Sequence, residues 1–316
     1  MKYRYWLFAA VAMAFVTTSC IHKGGDSVKI LRFDQFVFNP ESHPESADDF
    51  NTPLLNYYPD DPNYADALAA FLDDPFVQHI YHLTDSLYGD LSWLEEELGE
   101  AMARARALCP EVDYERFYTI ITADLYGVGV FCYEKDMVID LDNYLAKHVP
   151  ELQELGLPLY LTRSCGREYL LHDCVAAAAR FHIAQPEGIE MTYLDYAVAE
   201  GKVLYFAEQV LPSVQDTIRL RYTADQLRWM KDNTTNVWGW LIQNNALFSN
   251  DHGKLNNLVD VAPKTNVFGD DSAPRTDEWI GWQIVRQYMK KSGATISDLF
   301  AETDSRKILE ESGWRP

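Results

Sequence analysis

The chain has 316 residues, of which 47% are hydrophobic and 24% are charged, a balance that supports a sizeable core and excludes disorder over most of its length. The formal net charge is −21. Because such an acidic surface repels nucleic acid backbones, we exclude DNA and RNA as partners, whereas a basic protein or a cell-wall polymer stays compatible with it.

The first nineteen residues predict a signal peptide. Lys2 and Arg4 precede an unbroken apolar run, Trp6–Val16, and small residues follow that run. The run is shorter than the roughly 20 residues that cross a bilayer as a helix. Cys20 stands directly after the small residues, an arrangement that resembles the lipobox of bacterial lipoproteins and is similar to the form used in Bacteroidetes. The resemblance implies that Cys20 is the cleavage point and carries the lipid.

A lipid on Cys20 would attach the N-terminus of the mature chain to a membrane. Residues 20–27 form a short tether, and residues 28–316 are predicted to fold as a single domain because no linker or repeat divides them. Surface lipoproteins of Bacteroidetes often carry acidic residues directly after the cysteine. The tether has one acid, Asp26, so we expect the periplasmic face of the envelope rather than the cell surface.

The N-terminal half mixes strands and helices. Val28–Phe38 is largely apolar and predicts a strand, and residues 39–63 indicate an acidic loop. Helices are then expected over 63–73, 74–88 and 91–108, and strands over 117–124, 128–133 and 137–141. Short turns separate the last three strands, which is typical of a β-meander. Together with the first strand, the meander predicts a small antiparallel sheet.

The C-terminal half is predicted to be mainly helical. Helices are expected over 167–182, 193–210, 223–248, 277–291 and 296–311, with a long polar loop over 249–275. The order of strand, helices, meander and helices indicates the α+β fold class.

Export would permit disulfides among the cysteines that follow the anchor. These are Cys109, Cys132, Cys165 and Cys174. Four cysteines allow three full connectivities, and the spacing does not choose among them. If Cys165 and Cys174 lie on one helix, they are about 13 Å apart along its axis, which is too far for a bond. A pairing of Cys109 with Cys132 stays open.

The segment His172–Ala176 resembles part of the zinc-peptidase pattern H-E-x-x-H. In that pattern two histidines four residues apart bind zinc from one helix face, and the glutamate activates the bound water. Here His172 is present, Asp173 replaces the glutamate, and Ala176 stands where the second histidine is required. Because alanine has no ligand atom, the main metal-binding pair is incomplete.

Glu200 lies on the next predicted helix and could supply a further ligand beside His172. An antiparallel helix pair could bring the two side chains together, but a catalytic zinc takes three protein ligands plus water. We therefore predict no metal, no cofactor and no catalytic residue. His172, Asp173 and Glu200 are interpreted as packing residues of a helix pair or as a vestigial pocket in a zincin-like scaffold. A working metal site is the third alternative.

Other candidate ligands are isolated. His79 and His82 could share a metal, although a half-buried helix face also explains their spacing. Asp140 and Asp142 could bind calcium, yet neither further ligands nor an EF-hand pattern accompany them. Tryptophans are concentrated in the C-terminal half, at Trp229, Trp238, Trp240, Trp279 and Trp282. Their spacing favours core packing, with an aromatic groove for a protein partner as the alternative.

Three segments carry a resemblance to a known family. They are Glu200–Phe206 (EGKVLYF), Trp279–Met289 (WIGWQIVRQYM) and Ile308–Pro316 (ILEESGWRP). With the motif at Cys20, they resemble the gliding motility lipoprotein GldB family of Bacteroidetes. The resemblance implies an envelope protein associated with the gliding and type IX secretion machinery, and it assigns no catalytic residue. Many relatives occur in bacteria that do not glide, so motility itself is not implied.

The leading hypothesis is therefore a non-catalytic envelope lipoprotein that works through contacts with an envelope protein partner. Two alternatives stay open. One is a metal-dependent peptidase or other hydrolase with altered ligands, for which Asp195 could supply the missing group. The other is a cell-wall or glycan-binding lipoprotein, since exposed tryptophans can stack on sugars.

Overall fold

Helices surround a small four-stranded sheet in the computed structural model, which describes residues 27–42, 47–50, 55, 58, 60–145, 158–186 and 190–316. The predicted signal peptide and Cys20 lie outside these residues. The strands are β1 (Ile30–Arg32), β2 (Arg116–Ile120), β3 (Val130–Tyr133) and β4 (Asp136–Asp140). The helices are α1 (Phe33–Phe38), α2 (Ala47–Phe50), α3 (Pro62–Asp73), α4 (Pro75–Tyr88), α5 (Ser92–Leu108), α6 (Leu159–Thr162), α7 (Arg167–His182), α8 (Tyr193–Val210), α9 (Asp216–Arg219), α10 (Ala224–Gln243), α11 (His252–Val259), α12 (Thr276–Ser292), α13 (Ile296–Ala301) and α14 (Ser305–Ser312). The α+β class is confirmed.

The sheet is mixed, so the prediction of an antiparallel meander is wrong. The strand order is β1-β2-β4-β3, in which β1 and β4 each pair with β2 in parallel, and β3 pairs with β4 in antiparallel. All residues of β4 are buried, whereas β3 ends on the exposed Tyr133. The fully buried strand therefore takes a central position, and β3 lies at the edge. The helices between β1 and β2 supply the crossover that a parallel pair requires.

The segment Val28–Phe38 is a strand only near its start, which corrects the prediction of one long strand. After β1 the chain continues directly as α1. Phe33, Phe36 and Val37 have the spacing of one helix face, and they pack with Phe50 in a small cluster on one side of the sheet. Burial of this face favours the helix over further strand.

Several helices of the C-terminal half have the predicted bounds. Both α7 and α8 span the predicted residues, and a capping box of Thr223 and Gln226 begins α10. This helix ends at Gln243, however, earlier than expected.

Two further differences concern polar segments. The region predicted as a polar loop contains α11, whose Leu255 and Leu258 are buried against the helical core. The last predicted helix is two helices, because Asp304 accepts backbone hydrogen bonds from Arg306 and Lys307 and so starts α14 anew. In both places tertiary contacts or caps, rather than hydrophobic periodicity, decide the local structure.

Two large hydrophobic clusters fill the described structure. One lies between the sheet and α5 and α7, and the other lies among α8, α10 and α12. Helices α8 and α12 cross at Gly201 and Gly281, where a Cβ added to Gly281 would lie 1.6 Å from the carbonyl oxygen of Ala197. The two backbones are therefore in direct contact. Among the described helices, none is long and apolar enough to cross a bilayer.

Candidate functional site

A cleft opens beside the edge strand β3, and it consists of two adjoining cavities. The first, which we call the tyrosine cavity, has a volume of about 440 Å³, and the second, the edge cavity, has about 420 Å³. Gly129, Asp173 and Arg221 line both cavities, so the two adjoin at these residues. The aromatic wall of the tyrosine cavity consists of Tyr126, Tyr144, Tyr160, Tyr169 and Tyr222.

Helix α7 supplies one wall of the edge cavity. Its lining residues are Asp173, Ala177, Arg180 and Phe181, whose spacing places them on one face of the helix. The opposite wall is the run Val128–Cys132, which leads into and forms most of β3. The cavity therefore lies between an edge strand and a helix.

The centre of the cleft is an ion pair between Arg221 and Asp173. One guanidinium nitrogen of Arg221 lies 2.5 Å from both carboxylate oxygens of Asp173, and the hydroxyl of Tyr144 donates to the same carboxylate at 2.9 Å. Burial is the largest influence and opposes ionisation of Asp173. The charge of Arg221 and the contacts with His172 and Arg221 together outweigh burial and lower the pKa of Asp173 to about 2. This carboxylate is therefore ionised, paired and a weak base.

His172 lies beside this pair but does not line either cavity. The residue is buried, and its Nδ1 lies 3.4 Å from a carboxylate oxygen of Asp173. Burial lowers the pKa of His172, so its ring is neutral near pH 7. Its Nε2 is buried without a hydrogen-bond partner among the described residues.

Glu200 does not meet His172 in the way that a shared site would require. Its carboxylate instead forms an ion pair with Arg180 at 2.8 Å, farther along α7. Ala176 is buried and offers no ligand atom. Of the three residues of the predicted vestigial pocket, the structure places Asp173 on the cleft and the other two away from its lining. The assignment of a vestigial pocket stays a prediction.

Asp140 and Asp142 form a buried carboxyl pair behind the cleft. The backbone amides of Thr122 and Ala123 donate to Asp142, and the hydroxyl of Thr122 donates to Asp140 at 2.6 Å. Burial, reinforced by the charge of Asp142, raises the pKa of Asp140 to about 8. A proton shared by the two carboxyls would satisfy the otherwise unpartnered Oδ1 of Asp140. The pair thus fixes the segment that leads to Gly129.

No cluster of three or more His, Cys, Asp or Glu side chains within the described ranges could hold a metal ion. His79, His82, Asp140 and Asp142, which the sequence raised as candidate ligands, therefore belong to no such cluster.

The four cysteines that the structure describes are unbonded. Cys109, Cys132, Cys165 and Cys174 all carry free thiols. Burial raises the pKa of Cys132, on the edge cavity, to about 11, so this thiol stays protonated near pH 7.

Sequence reasoning missed Arg221 and Arg275, which both line the tyrosine cavity. Each adopts left-handed backbone conformation, with φ of 55° and 45° respectively, a strain typical of functional sites. Neither belongs to a motif, and the ion pair of Arg221 joins residues that are far apart in the chain. The only sequence feature that the two arginines share is their place shortly before a helix, since Arg221 precedes α10 and Arg275 precedes α12.

The described tryptophans pack in or against the core rather than forming an open aromatic surface. In the part of the chain that the structure describes, every tryptophan is buried or half-buried. Trp282 is fully buried, donates to Glu208 at 2.9 Å, and lies under the guanidinium of Arg286. Core packing is therefore the role that the structure gives to Trp282.

These features define an α+β protein in which helices surround a small mixed sheet, with an arginine- and tyrosine-lined cleft at the edge strand. A family model described as gliding motility protein GldB matches residues 20–316. The chain belongs to the GldB family. No curated protein and no solved structure matches it significantly.

Proposed function

We propose that this GldB-family protein is a lipid-anchored envelope protein that works without catalysis, by binding a protein partner in or near the gliding and type IX secretion machinery. The observation that carries the proposal is the ion pair of Arg221 with Asp173 at the centre of the cleft. Asp173 occupies the position at which a zinc peptidase would need its general base. A carboxylate held by an arginine, with a pKa of about 2, accepts protons poorly at neutral pH.

The lipid anchor is supported by the sequence at Cys20. The family match begins at this residue, which the sequence predicts to carry the lipid. We propose the periplasmic face because the tether carries one acid. Radiolabelled palmitate should enter the wild-type chain and not Cys20→Ala, and protease added to intact cells should leave the protein uncut. Release of the protein into the digest would place it on the surface instead.

The non-catalytic claim is tested by metal content and by proteolysis. Mature protein purified without added metal is assayed for zinc beside His172→Ala, and both are incubated with unfolded casein. We expect substoichiometric zinc in both proteins and intact casein. One zinc per wild-type chain, lost in His172→Ala together with casein cleavage, would establish the peptidase alternative.

A further inference from the structure

We propose that the edge cavity binds an extended, acidic peptide segment of the partner as an additional strand along β3. This inference rests on the proposed function and names the chemistry of what the cleft binds. It combines three observations, which are the free edge of β3, the partly apolar groove beside it, and the arginines of the cleft lining.

The free edge of β3 follows from the register of the sheet. Val130 pairs with Ile139 in β4, and the backbone amide of Asp140 donates to the carbonyl of Gly129 at 2.8 Å. In an antiparallel ladder, successive residues of one strand alternate between hydrogen-bonded and non-hydrogen-bonded pairs. Gly129 and Phe131 therefore direct their backbone N–H and C=O groups toward β4. Val130 and Cys132 then direct theirs away from it. No described strand pairs with this side of β3.

The groove beside this edge has the length of a short strand. The run Val128–Cys132 lines it, and a strand rises about 3.3 Å per residue, so about five peptide residues would fit beside it. Ala177 on the opposite wall is small. Val128 and Phe181 are apolar and 68% and 45% exposed. An incoming strand could therefore form backbone hydrogen bonds to β3 and bury apolar side chains against α7.

The lining of the whole cleft is rich in arginine although the chain is acidic. Arg180 and Arg221 line the edge cavity, and Arg163 and Arg275 line the adjoining tyrosine cavity. The whole lining holds these four arginines and a single carboxylate, that of Asp173. Arg163 has no ion-pair partner among the described residues. The carboxylates that pair with Arg180 and Arg275 belong to Glu200 and Glu278, which stand behind the lining. Since the other three arginines are ion-paired, Arg163 leaves the cleft with an excess of one positive charge on a chain whose formal net charge is −21. This local difference favours acidic over basic peptides.

The test is a selection from a phage-displayed library of random seven-residue peptides. The bait is purified mature protein, and clones that also bind the double variant Val128→Glu/Phe181→Glu are removed. The matched control is Ile242→Glu, a similar change at a half-exposed residue of α10 outside the cleft. We expect enriched peptides to alternate apolar residues with Asp or Glu. Binding should survive Ile242→Glu and fall at least tenfold in the double variant. Enrichment of basic peptides, or no enrichment over the double variant, overturns the proposal.

Charge is separated from bulk by two substitutions at one position. The best selected peptide should bind Val128→Lys more tightly than Val128→Glu. The two introduced side chains are similar in size and opposite in charge, so a difference between them reports charge. Equal losses in both variants would show that the charge of the cleft does not select the ligand.

Backbone pairing is tested by residue-resolved hydrogen exchange with the selected peptide bound. We expect new protection of the amides of Val130 and Cys132, and little change at Phe131, which already faces β4. Protection elsewhere without change at these two amides overturns the strand-addition mode. The outcomes also separate the two proposals, since a bound peptide that is cut would refute only the non-catalytic function. Absence of peptide binding would refute only this inference.

Discussion

The crossing of α8 and α12 and the cleft beside β3 are built by opposite means. At the crossing, two glycines from short recognisable segments, Glu200–Phe206 and Trp279–Met289, bring two backbones into contact. At the cleft, Asp173 lies on α7, whereas Arg221 lies in the turn between α9 and α10, and the two belong to no shared segment. Two of the segments on which the family resemblance was predicted therefore build the scaffold at this crossing, while residues far apart in the chain build the cleft.

This difference separates substitutions that should affect stability from those that should affect binding. Close helix packing constrains every neighbouring residue, and it leaves a continuous sequence pattern. A cleft constrains only the few side chains that face it. We therefore expect substitutions at the crossing to affect stability and substitutions on the cleft rim to affect binding.

The largest effect is expected for Gly281→Ala. Its Cβ would overlap the carbonyl of Ala197, so α8 and α12 must separate, with a loss of more than about 4 kcal/mol. The control is Gly239→Ala on α10, where an added Cβ meets nothing within 4 Å and should stabilise by about 0.5–1 kcal/mol. Urea unfolding measures both. Similar midpoints for the two variants would contradict the backbone contact at the crossing.

The next effect is expected for Arg221→Leu. The substitution leaves the partly buried carboxylate of Asp173 without its cation, and we expect a loss of about 1–3 kcal/mol in the free energy of unfolding. Adding Asp173→Asn to this variant should recover part of the loss. If the single and double variants unfold alike, the pair does not carry the electrostatics assigned to it.

The same pair predicts an acid-dependent contribution. The folded-state pKa of Asp173, about 2, lies below the usual value of about 3.9 for an unfolded chain. The contribution is therefore present above pH 4 and is lost as the pH falls through about 2. The stability difference between wild type and Asp173→Asn should narrow over this range, and a constant difference would contradict the assignment.

A smaller effect with the opposite pH dependence is expected for Asp140→Asn. Because the folded-state pKa is raised to about 8, the folded protein keeps a proton that the unfolded chain loses above pH 4, and stability falls as the pH rises toward 8. Asparagine cannot ionise, so the variant should gain about 1 kcal/mol or more relative to wild type between pH 5 and pH 8. Thermal melts at both values measure this, with the exposed Asp232→Asn as control.

The smallest effect is expected from reduction. Since Cys109, Cys132, Cys165 and Cys174 are free, dithiothreitol should leave the melting temperature unchanged. A thiol titration of denatured Cys20→Ala protein should find four thiols. Fewer thiols, with a lower melting temperature after reduction, would show that a disulfide forms in the envelope.

Local patterns predicted much of the helical fold. The bounds of α7 and α8 follow from periodicity and from the proline after α8, and the start of α10 follows from Thr223. Strand order did not follow, because it depends on which strand can be buried on both faces. Likewise, the partner of Glu200 depends on how α7 and α8 are positioned against each other. His172 and Asp173 were located from a motif, but Arg221 required the folded structure.

The most direct test of the binding cleft uses a photoreactive benzoylphenylalanine at position 128 in living cells of the source bacterium. The matched position is 242, where Ile242 is 50% exposed on α10. We predict that light crosslinks position 128 to a discrete envelope protein through an acidic, extended segment, and that position 242 does not capture it. Capture of the same proteins at both positions, or no crosslink at position 128, would contradict a protein-binding function of the cleft.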